Sequence, residues 1–285
     1  MSIRYNIGEQ IECGSQGSVV SALDTQTNKT VAIKIFDIST EAGACGFSIE
    51  YCIHKIMMGK SKRICKVLDS FQIPNQYGFL VMEKYKQDLF DLVFKEKNFD
   101  KKRIKKTFAK ICKAVRDLHR RGVAHLDIKP ENVLVDEKGS PFLCDFGCSY
   151  MFKVDETEDI ETHLSRKVRS TVFENLRGRG TRRYAAPEVF NELKFNPFSA
   201  DIYSLGILLH ALATGYFPTT LENTNDINLS VAKQMMDKKS YALLASMVTA
   251  DPASRPSIEA VLHHPYFGKR KVSLTKQRQK FFATV

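Results

Sequence analysis

The chain has 285 residues, of which 43% are hydrophobic and 26% are charged, as in folded globular proteins rather than disordered ones. It has no apolar run of about eighteen residues and no leader-like pattern at Met1 to Glu12, so we expect neither a membrane-spanning nor a secreted protein. The net charge of +11 favours anionic partners such as nucleotides, acidic proteins or nucleic acid, without selecting among them.

The cysteines and the basic tail give predictions about where in the cell the protein resides. The seven cysteines are odd in number and lack disulfide-framework spacing, which predicts reduced thiols in an intracellular protein, cytoplasmic or nuclear. Cys144 and Cys148 could be half of a metal site, but no second ligand pair has suitable spacing, so zinc is not expected. The Lys- and Arg-rich residues 269–280 could be a nuclear address or a nucleic-acid patch, although a solvated chain end is the favoured interpretation.

The first third of the chain has the pattern of a small antiparallel sheet. Residues 4–12, 18–23 and 30–36 ("RYNIGEQIE", "SVVSAL" and "TVAIKIF") predict three strands separated by turns. Phe47 to Met58 has apolar residues at helical spacing, and Gly78 to Glu83 ("GFLVME") predicts another strand. One helix is thus placed among strands.

Beyond Asp88 the pattern predicts mainly helices. The segment 102–122 is apolar on one face and ends at Gly122. The segment from Ser199 to Gly215 is apolar on most sides, which predicts a buried helix with Ser199 as its cap and Gly215 as its stop. The predicted fold class is therefore α+β: a small β-rich region with one main helix, then a larger helical region. The cleft at their junction is the expected ligand site.

Two features of the first third suit a phosphate-bearing ligand. Gly14 and Gly17 allow a tight turn that brings backbone N–H groups close to a phosphate, although an ordinary hairpin turn explains them as well. Lys34 lies in an apolar strand and needs a counter-charge if it is buried. Glu50 on the following helix is the candidate partner, with a bound phosphate as a second anion. Alternatively, the stem of Lys34 packs while its ammonium group reaches water.

The segment "HLDIKPEN" (125–132) combines groups that suit phosphoryl transfer. Asp127 could accept the proton of a hydroxyl, Lys129 could neutralise the transferred phosphate, and Asn132 offers a neutral oxygen to Mg²⁺. Asp145, in "CDFG", is a second ligand for a hard cation. Because the transition state of this reaction is loose, alignment of the reactants supplies much of the rate gain, about 7–11 kcal/mol.

These motifs, with others in the same order, resemble those of eukaryotic-type protein kinase domains over about residues 5–267. The series comprises the glycine-rich loop Gly14, Gly17 and Val19, "VAIK" ending at Lys34, "HLDIKPEN", "DFG", "GTRRYAAPE" (180–188), "DIYSLG" (201–206) and Arg255–Pro256. The resemblance implies a bilobal kinase fold with an N-lobe of about residues 1–83, a hinge of about 84–88 and a C-lobe of about 89–267. Residues 268–285 would be a basic tail.

The same resemblance implies roles for individual residues. Lys34 would hold the α- and β-phosphates of ATP, Glu50 would pair with Lys34, and Met82 would be the gatekeeper beside the adenine. Glu83, Lys84 and Tyr85 would form the hinge, with the carbonyl of Glu83 offered to adenine. The predicted ATP site comprises Ile11, Gly14, Ser15, Gln16, Gly17, Val19, Ala32, Lys34, Glu50, Met82, Glu83 and Tyr85.

The implied catalytic residues are Asp127 and Lys129, with Asn132 and Asp145 as the ligands of Mg²⁺. ATP and Mg²⁺ are the implied cofactors. In structural roles, Glu188 and Arg255 would form a buried ion pair, and Asp201 would anchor the catalytic loop. Asp201 belongs to "DIYSLG", Glu188 to "APE" and Arg255 to "RP".

The implied substrates are proteins with Ser or Thr acceptors. Lys129 two residues after the base, with Pro130 behind it, resembles serine/threonine kinases rather than tyrosine kinases, and Thr181 agrees. Glu131 and Asp88 near the cleft mouth would favour basic residues just before the acceptor, although surface acids are usually only solvated.

Four positions depart from the kinase pattern. Glu12 stands where the first loop glycine is expected and Gln16 replaces the usual aromatic tip, which predicts weaker nucleotide affinity but not its loss. Leu126 replaces an arginine that normally meets a phosphate on the activation segment, so we expect little dependence on such a phosphate. Tyr203 replaces a tryptophan, which predicts only a change in packing. "HLD" together with "DFGCS" resembles the Mos kinases over those few residues.

The activation segment, residues 145–188, is longer than usual and has an acidic run followed by a basic run. The two runs could pair with each other. Alternatively, the basic run could contact an acidic substrate or a phosphate on Ser165, Ser170 or Thr171, and a solvated loop is the plainest interpretation.

Two other classes of function stay open at this point. The first is a pseudokinase or scaffold that keeps the fold for binding, with Glu12 and Leu126 as signs of drift. The second is a nucleic-acid binder driven by the +11 charge, although the sequence lacks the interleaved aromatic residues that base stacking would use.

Overall fold

The computed structural model describes residues 4–14, 17–95, 100–152, 173–174, 176–219 and 227–268. Several predictions from the sequence fall outside these ranges. They concern Ser15 and Gln16 in the glycine-rich loop, the acidic run, the phosphorylation sites at 165, 170 and 171, and the tail beyond residue 268.

The first region is built on a five-stranded antiparallel sheet. Its strands are β1 (Tyr5–Gly14), β2 (Gly17–Asp24), β3 (Lys29–Asp37), β4 (Val67–Ile73) and β5 (Tyr77–Glu83), in the spatial order β1-β2-β3-β5-β4. The four strands predicted from alternating and apolar patterns are confirmed. Strand β3, which carries Lys34, is the middle strand, so its side chains are flanked on both sides.

The single long helix of this region, α1 (Glu41–Met57), begins at Glu41 rather than at the predicted Phe47. The side chain of Thr40 caps it by accepting a hydrogen bond from Gly43 N. Its first turn is rich in small residues, which carry little apolar periodicity. Phe47 packs with Phe36 and Leu80 of the sheet, and this contact fixes the helix against β3 and β5.

The second region is mainly helical. Its helices are α2 (Lys101–His119), α3 (Pro187–Asn191), α4 (Pro197–Thr214), α5 (Ser230–Met235), α6 (Lys238–Met247) and α7 (Ile258–His263). A π-helical turn spans Asp91–Lys95, and 3-10 turns span Pro130–Asn132, Pro252–Ser254 and Pro265–Phe267. Short strands complete it: β6 (Gln87–Asp88), β7 (Val123–Ala124), β8 (Val133–Val135), β9 (Pro141–Leu143), β10 (Tyr150–Met151), β11 (Phe173–Glu174) and β12 (Lys194–Phe195).

Helix α4 is buried almost throughout, as predicted, but its predicted cap is wrong. The cap is Asn196, whose side chain accepts hydrogen bonds from Phe198 N and Ser199 N, and Pro197 occupies the first helical position. The hydroxyl of Ser199 instead donates to Pro252 O, a tertiary contact that local sequence does not reveal. The predicted stop at Gly215 is confirmed, with φ of 77°.

The hydrophobic core joins the two regions. One large buried cluster fills the helical region and extends to Ile53 and Met57 of α1, so this helix packs on both regions. Among the described residues, no helix is long and apolar enough to cross a membrane. The architecture is the predicted α+β arrangement, a small β-rich lobe followed by a larger helical lobe.

Candidate active site

One face of the sheet presents the residues predicted to surround a nucleotide. Val19 and Leu80 lie directly opposite Lys34 on the neighbouring strands, and Ala32 lies opposite Met82. Cross-strand partners point to the same face, and residues two apart on one strand do so as well. The register therefore brings these five side chains to one surface, with apolar groups around a single cation.

Lys34 is buried and bridges the two lobes. Its Nζ donates to Glu50 Oε2 on α1 at 2.6 Å and to Asp145 Oδ1 at 2.7 Å. The Lys34 side chain is 8% exposed and that of Glu50 is 1% exposed, whereas Asp145 is 29% exposed. The predicted Lys34–Glu50 pair is confirmed, and the alternative in which the ammonium reaches water is wrong. One cation thus faces two carboxylates, with the open side at Asp145.

The protonation states follow from this geometry. Burial disfavours the ammonium of Lys34, but Glu50 and Asp145 outweigh it and raise the pKa of Lys34. Burial also disfavours ionised Asp145, yet Lys34 lowers the pKa of this carboxyl. Burial raises the pKa of Glu50 and Lys34 opposes that shift. We treat Glu50 as ionised because its oxygen lies 2.6 Å from a charged ammonium.

Asp127 is held by two residues of its own loop and by the segment at Thr181. Its Oδ1 accepts from Thr181 N at 2.7 Å, and its Oδ2 accepts from Asn132 Nδ2 at 2.9 Å. Lys129 Nζ lies 2.9 Å from the same Oδ2 and also donates to Thr181 Oγ1 at 2.9 Å. The carboxylate is 5% exposed, so its orientation is fixed before any substrate arrives.

The loop that carries Asp127 is anchored from below by Asp201 on α4, as the resemblance implied. Asp201 Oδ2 accepts from His125 N and Oδ1 accepts from Leu126 N, both at 2.8 Å, and Oδ2 also contacts His119 Nε2 at 2.8 Å. Leu126 has a positive φ of 62°, an unusual conformation for a branched residue. The buried carboxylate compensates for this strain by satisfying both backbone N–H groups.

Gly180 fits closely against this loop. It has φ of 82°, and a Cβ atom on it would lie 2.1 Å from Leu126 O. Only glycine allows the segment before Thr181 to approach the catalytic loop so closely. The approach is what places Thr181 against Asp127.

The side chains of Asn132 and Asp145 suit a magnesium ion. Asn132 Nδ2 donates to Asp127 O and Oδ2, which leaves the amide oxygen without a protein donor among the described residues. An amide oxygen and a carboxylate are the ligands that Mg²⁺ prefers. In the described part of the chain, no group of three or more His, Cys, Asp or Glu could hold a metal. A pair of protein ligands nevertheless fits, because Mg²⁺ usually completes its shell with water and substrate phosphates.

Comparison with known proteins agrees with this geometry. The family described as the protein kinase domain matches residues 5–267. The chain belongs to the protein kinase family. The predicted fold class, the predicted family and the predicted enzyme class, a protein serine/threonine kinase, are thereby confirmed.

Individual relatives are distant but match along most of the chain. The serine/threonine-protein kinase pim-2 of Danio rerio is 28% identical over 289 residues, covering 94% of this chain and 86% of its own. CBL-interacting protein kinase 5 of Oryza sativa subsp. japonica is 28% identical over 93% of this chain, and serine/threonine-protein kinase ppk16 of Schizosaccharomyces pombe is 33% identical over 92%. The chain spans only 56% and 37% of the length of these last two relatives.

The kinase glycine-rich loop is described in part. Gly14 pairs with Gly17 at the end of the β1–β2 hairpin, and Glu12, in place of the first loop glycine, pairs with Val19. Gly17 has φ of 122°, and a Cβ atom there would lie 2.3 Å from Ile35 O, which gives this glycine a structural role. Ile11 is 50% exposed, unusual for an isoleucine in a strand. This apolar side chain is available to a ligand.

The predicted hinge residues directly follow the buried end of strand β5. Met82 is buried with its sulfur 3.8 Å from Cys65 Sγ, and Glu83 ends β5. The Tyr85 hydroxyl accepts from Lys66 N at 3.3 Å, and its ring packs on Phe142 at 4.8 Å. The side chain of Tyr85 is thus engaged in packing. If Tyr85 contacts ATP as the resemblance implies, it would do so through its backbone.

The implied structural pair Glu188–Arg255 is present and buried. The Arg255 guanidinium contacts both oxygens of Glu188, with Nη2 3.0 Å from Oε2. It also donates to Thr249 O, Ser199 O and Ala250 O. Tyr203 lies under Arg255, 4.9 Å from guanidinium carbon to ring centroid, which agrees with a packing role.

Two histidines beside Phe146 of the DFG triplet were not predicted from the sequence. His125 Nδ1 accepts from Asp127 N at 3.2 Å, and its ring lies 5.2 Å from that of Phe146. His54, one turn after Glu50 on α1, also meets the ring of Phe146 edge-on, with 5.0 Å between the ring centroids. The spacing from Glu50 to His54 was the only sequence signal, since i and i+4 share a helix face.

His54 is also electrostatically unusual. It is buried, and its Nε2 has no hydrogen-bond partner in the described part of the chain. Burial and the charge of Lys34 lower the pKa of His54 to about 4. Glu50 Oε1 lies 4.0 Å from Nε2, but its charge is already engaged by Lys34. We therefore treat His54 as neutral at physiological pH.

Proposed function

We propose that the protein transfers the γ-phosphoryl group of ATP to Ser or Thr hydroxyls of protein substrates, with Asp127 as the base. The observation that carries this proposal is the convergence of two groups. Lys129 and Asn132 contact Asp127, Lys34 pairs with Asp145, and Cys144 N donates to Asn132 O, which brings Asp145 beside Asn132. Lys34 would bind the α- and β-phosphates, and the charge on Asp145 is partly open to solvent for a second cation.

The arrangement around Asp127 supports its role as a base. Thr181 N and Asn132 Nδ2 hold the two carboxylate oxygens in place, so little reorganisation is needed when a hydroxyl donates its proton. Lys129 is close enough to move between Asp127 and a phosphate oxygen, which would neutralise the charge that develops during transfer.

Asn132 and Asp145 would hold Mg²⁺, which when bound neutralises phosphate charge and orients the terminal phosphate. The free amide oxygen of Asn132 and the ionised carboxylate of Asp145 support this assignment. The remaining predicted ATP residues, including Ile11, Val19, Ala32 and Met82, would enclose the adenine and ribose on the sheet face described above.

The proposal includes a basic sequence context in the substrate. Burial raises the pKa of Glu131 and that of Asp88. The charges of Asp88 and Asp127 raise the pKa of Glu131 further, so the three carboxylates are near neighbours. Two acids near the base could bind an arginine or lysine of the substrate, and we keep this as part of the proposal.

Transfer of labelled phosphate from ATP and Mg²⁺ to a generic basic protein tests the proposed reaction. Asp127→Asn and Lys34→Met should abolish the signal, while the matched surface changes Glu192→Gln and Lys62→Met should leave it within about twofold, since both positions are exposed and exposed charges contribute little. Equal signal from Asp127→Asn and the wild type would reject the proposed base. Nucleotide binding without transfer in the wild type would favour a pseudokinase or scaffold instead.

We also propose an intracellular location, in the cytoplasm, the nucleus or both. All seven cysteines are free thiols, which is typical of proteins in reducing compartments. Imaging of a fluorescent fusion in cells tests this, and a signal restricted to the secretory pathway would contradict it.

A further inference from the structure

The chain directly after Thr181 carries two consecutive arginines beside the proposed base. Thr181 N donates to Asp127 Oδ1 at 2.7 Å, so Arg182 and Arg183 begin one and two residues from that contact. Tyr184 N and Ala185 N both donate to Thr181 O, so the chain turns directly after Thr181 and keeps both arginines close to it. The long side chains of these arginines can therefore reach residues that flank an acceptor hydroxyl bound at Asp127.

Aromatic rings fix both arginines. The Arg182 guanidinium lies over the ring of Phe190, 4.5 Å from its centroid, and the Arg183 guanidinium lies over the ring of Phe217 at 4.7 Å. Stacking of this kind is favourable and leaves the edge of the guanidinium free to donate hydrogen bonds. Because these side chains are already ordered, they lose less conformational entropy when a ligand binds.

The charges of these two arginines are not neutralised within the described part of the chain. Both side chains are exposed, and neither forms an ion pair or a hydrogen bond to a described residue. Nearby Arg179 differs, because its Nη1 donates to Cys148 O and Ser149 O. Arg179 thus supports the loop, whereas Arg182 and Arg183 keep their donors available.

The next residue supplies an unused donor at the same place. Tyr184 is 3% exposed, and its hydroxyl has no hydrogen-bond partner among the described residues. Its ring packs edge-on against Phe217, the ring that also supports Arg183, at 5.3 Å. A buried polar group without a partner is costly, which indicates that a ligand or water completes it.

We propose that Arg182 and Arg183 form a specificity site for a carboxylate or phosphate on a substrate residue within about three positions of the acceptor. The inference rests on the proposed kinase reaction and adds a substrate class to it. Two guanidinium groups match the geometry of either anion, and a phosphate would bind more tightly because it carries more charge. Burial and the charge of Glu131 raise the pKa of Tyr184, whereas the charge of Arg183 lowers it, so Glu131 would repel an anion that approached its own carboxylate.

Peptide kinetics with the full chain test this site. A reference peptide has one Ser acceptor among neutral residues, and matched peptides carry Glu, phosphoserine or Arg at each position from −3 to +3. At one position or more, Glu should raise kcat/KM about tenfold, and phosphoserine should raise it further. The preference should weaken as salt is raised, because these charges are exposed. The Arg peptides report separately on Glu131 and Asp88.

The variant Arg182→Ala/Arg183→Ala should lose the preference while phosphorylating the neutral peptide within about threefold of the wild type. The matched control, Lys101→Ala/Lys102→Ala, removes the same charge at the start of α2. The other end of this helix contacts Asp201 through His119, so the two lysines lie at the end away from the catalytic loop. This control should keep the preference. No anion preference in the wild type, or an equal loss in both variants, would overturn the inference.

Binding of fluorescently labelled peptides separates this result from the reaction itself. If Asp127→Asn shows no loss of transfer, the proposed function fails. Tighter binding of the phosphoserine peptide than of the neutral one, abolished only by the arginine variant, would still support the site. Equal binding of both peptides to the wild type would contradict it.

Discussion

The two lobes each contain a buried ion pair, and the two pairs differ in how fully their charges are compensated. Arg255 in the helical lobe meets both oxygens of Glu188 and three backbone carbonyls, and its side chain is fully buried. Lys34 in the β-rich lobe meets two carboxylates, of which Asp145 remains partly open. A closed pair suits a structural role, whereas an open site with excess negative charge suits the binding of further cations and phosphates.

Lys34→Met should produce the largest change in activity. Loss of the buried cation that we propose holds the α- and β-phosphates should lower kcat/KM by about 10³-fold. The free energy of unfolding should change much less, because Glu50 can take up a proton and Asp145 reaches solvent. Steady-state kinetics measure the loss of activity, and urea unfolding measures the change in the free energy of unfolding. A Lys34→Met protein whose lost activity is explained entirely by unfolding would contradict the distinction.

Arg255→Met should have the opposite profile. Removing one partner of a closed, buried pair leaves Glu188 without compensation and should lower the free energy of unfolding by about 3–5 kcal/mol. Urea unfolding provides the measurement. Arg255→Lys, which keeps the charge but not the two-point contact, should fall between the wild type and Met. A loss below about 1 kcal/mol for Arg255→Met would break the comparison.

His54 should make the Lys34 side of the molecule sensitive to acid. Its pKa is about 4 in the folded protein against an ordinary value of 6.5, so the unfolded chain binds more protons between these values. Stability should therefore fall as pH drops from about 6.5 to about 4, by roughly 3 kcal/mol from this residue. The nearby charged groups Lys34, Glu50 and Asp145 also make the stability depend on pH. The wild type is therefore compared with His54→Leu, which lacks only the histidine.

The difference in the free energy of unfolding between these two proteins, measured across this pH range, isolates the histidine. The His54→Leu protein should show a flatter dependence by the stated amount. Parallel curves for both proteins would mean that His54 is not held neutral by its surroundings.

Gly180→Ala should damage the catalytic loop more than Gly178→Ala. Both glycines have positive φ, 82° and 80°, but only a Cβ atom on Gly180 meets a backbone atom, Leu126 O at 2.1 Å. Gly178→Ala should cost about 1 kcal/mol from its backbone conformation alone. Gly180→Ala should in addition lower kcat about tenfold or more, because Thr181 moves away from Asp127. Equal kcat values for the two variants would show that the close approach is unimportant.

The smallest effect is expected from phosphate removal. Leu126 is buried and replaces the arginine that would meet an activation-segment phosphate. Phosphatase treatment of active protein should therefore change kcat/KM by no more than about twofold. A large loss that is traced by mass spectrometry to a phosphate between residues 145 and 188 would contradict this expectation.

Much of the molecule could be predicted from the sequence because its signals are local. Alternation predicted the strands around Lys34, and motif order predicted its pairing with Glu50 and the anchoring of the catalytic loop by Asp201. Contacts between distant segments could not be predicted in this way. Ser199 was predicted to cap α4, but its hydroxyl donates to Pro252 O, 53 residues away, and Asn196 caps the helix instead.

His54 and the stacked arginines illustrate the same limit. His54 has ordinary helical spacing, and its missing hydrogen bond depends on what packs around it in three dimensions. The basic run was visible in the sequence, but the structure separates Arg179, which bonds to the loop, from Arg182 and Arg183, which do not. Charge counts cannot make that separation.

The central claim is that Asp127 acts on an acceptor hydroxyl beside a nucleotide held by Lys34 and Asp145. Single-turnover transfer from prebound ATP and Mg²⁺, with the nucleotide dissociation constant measured by calorimetry on the same proteins, tests it most directly. Asp127→Asn should bind ATP within about threefold of the wild type and transfer phosphate at least about 100-fold more slowly. Transfer at the wild-type rate by this variant would contradict the account.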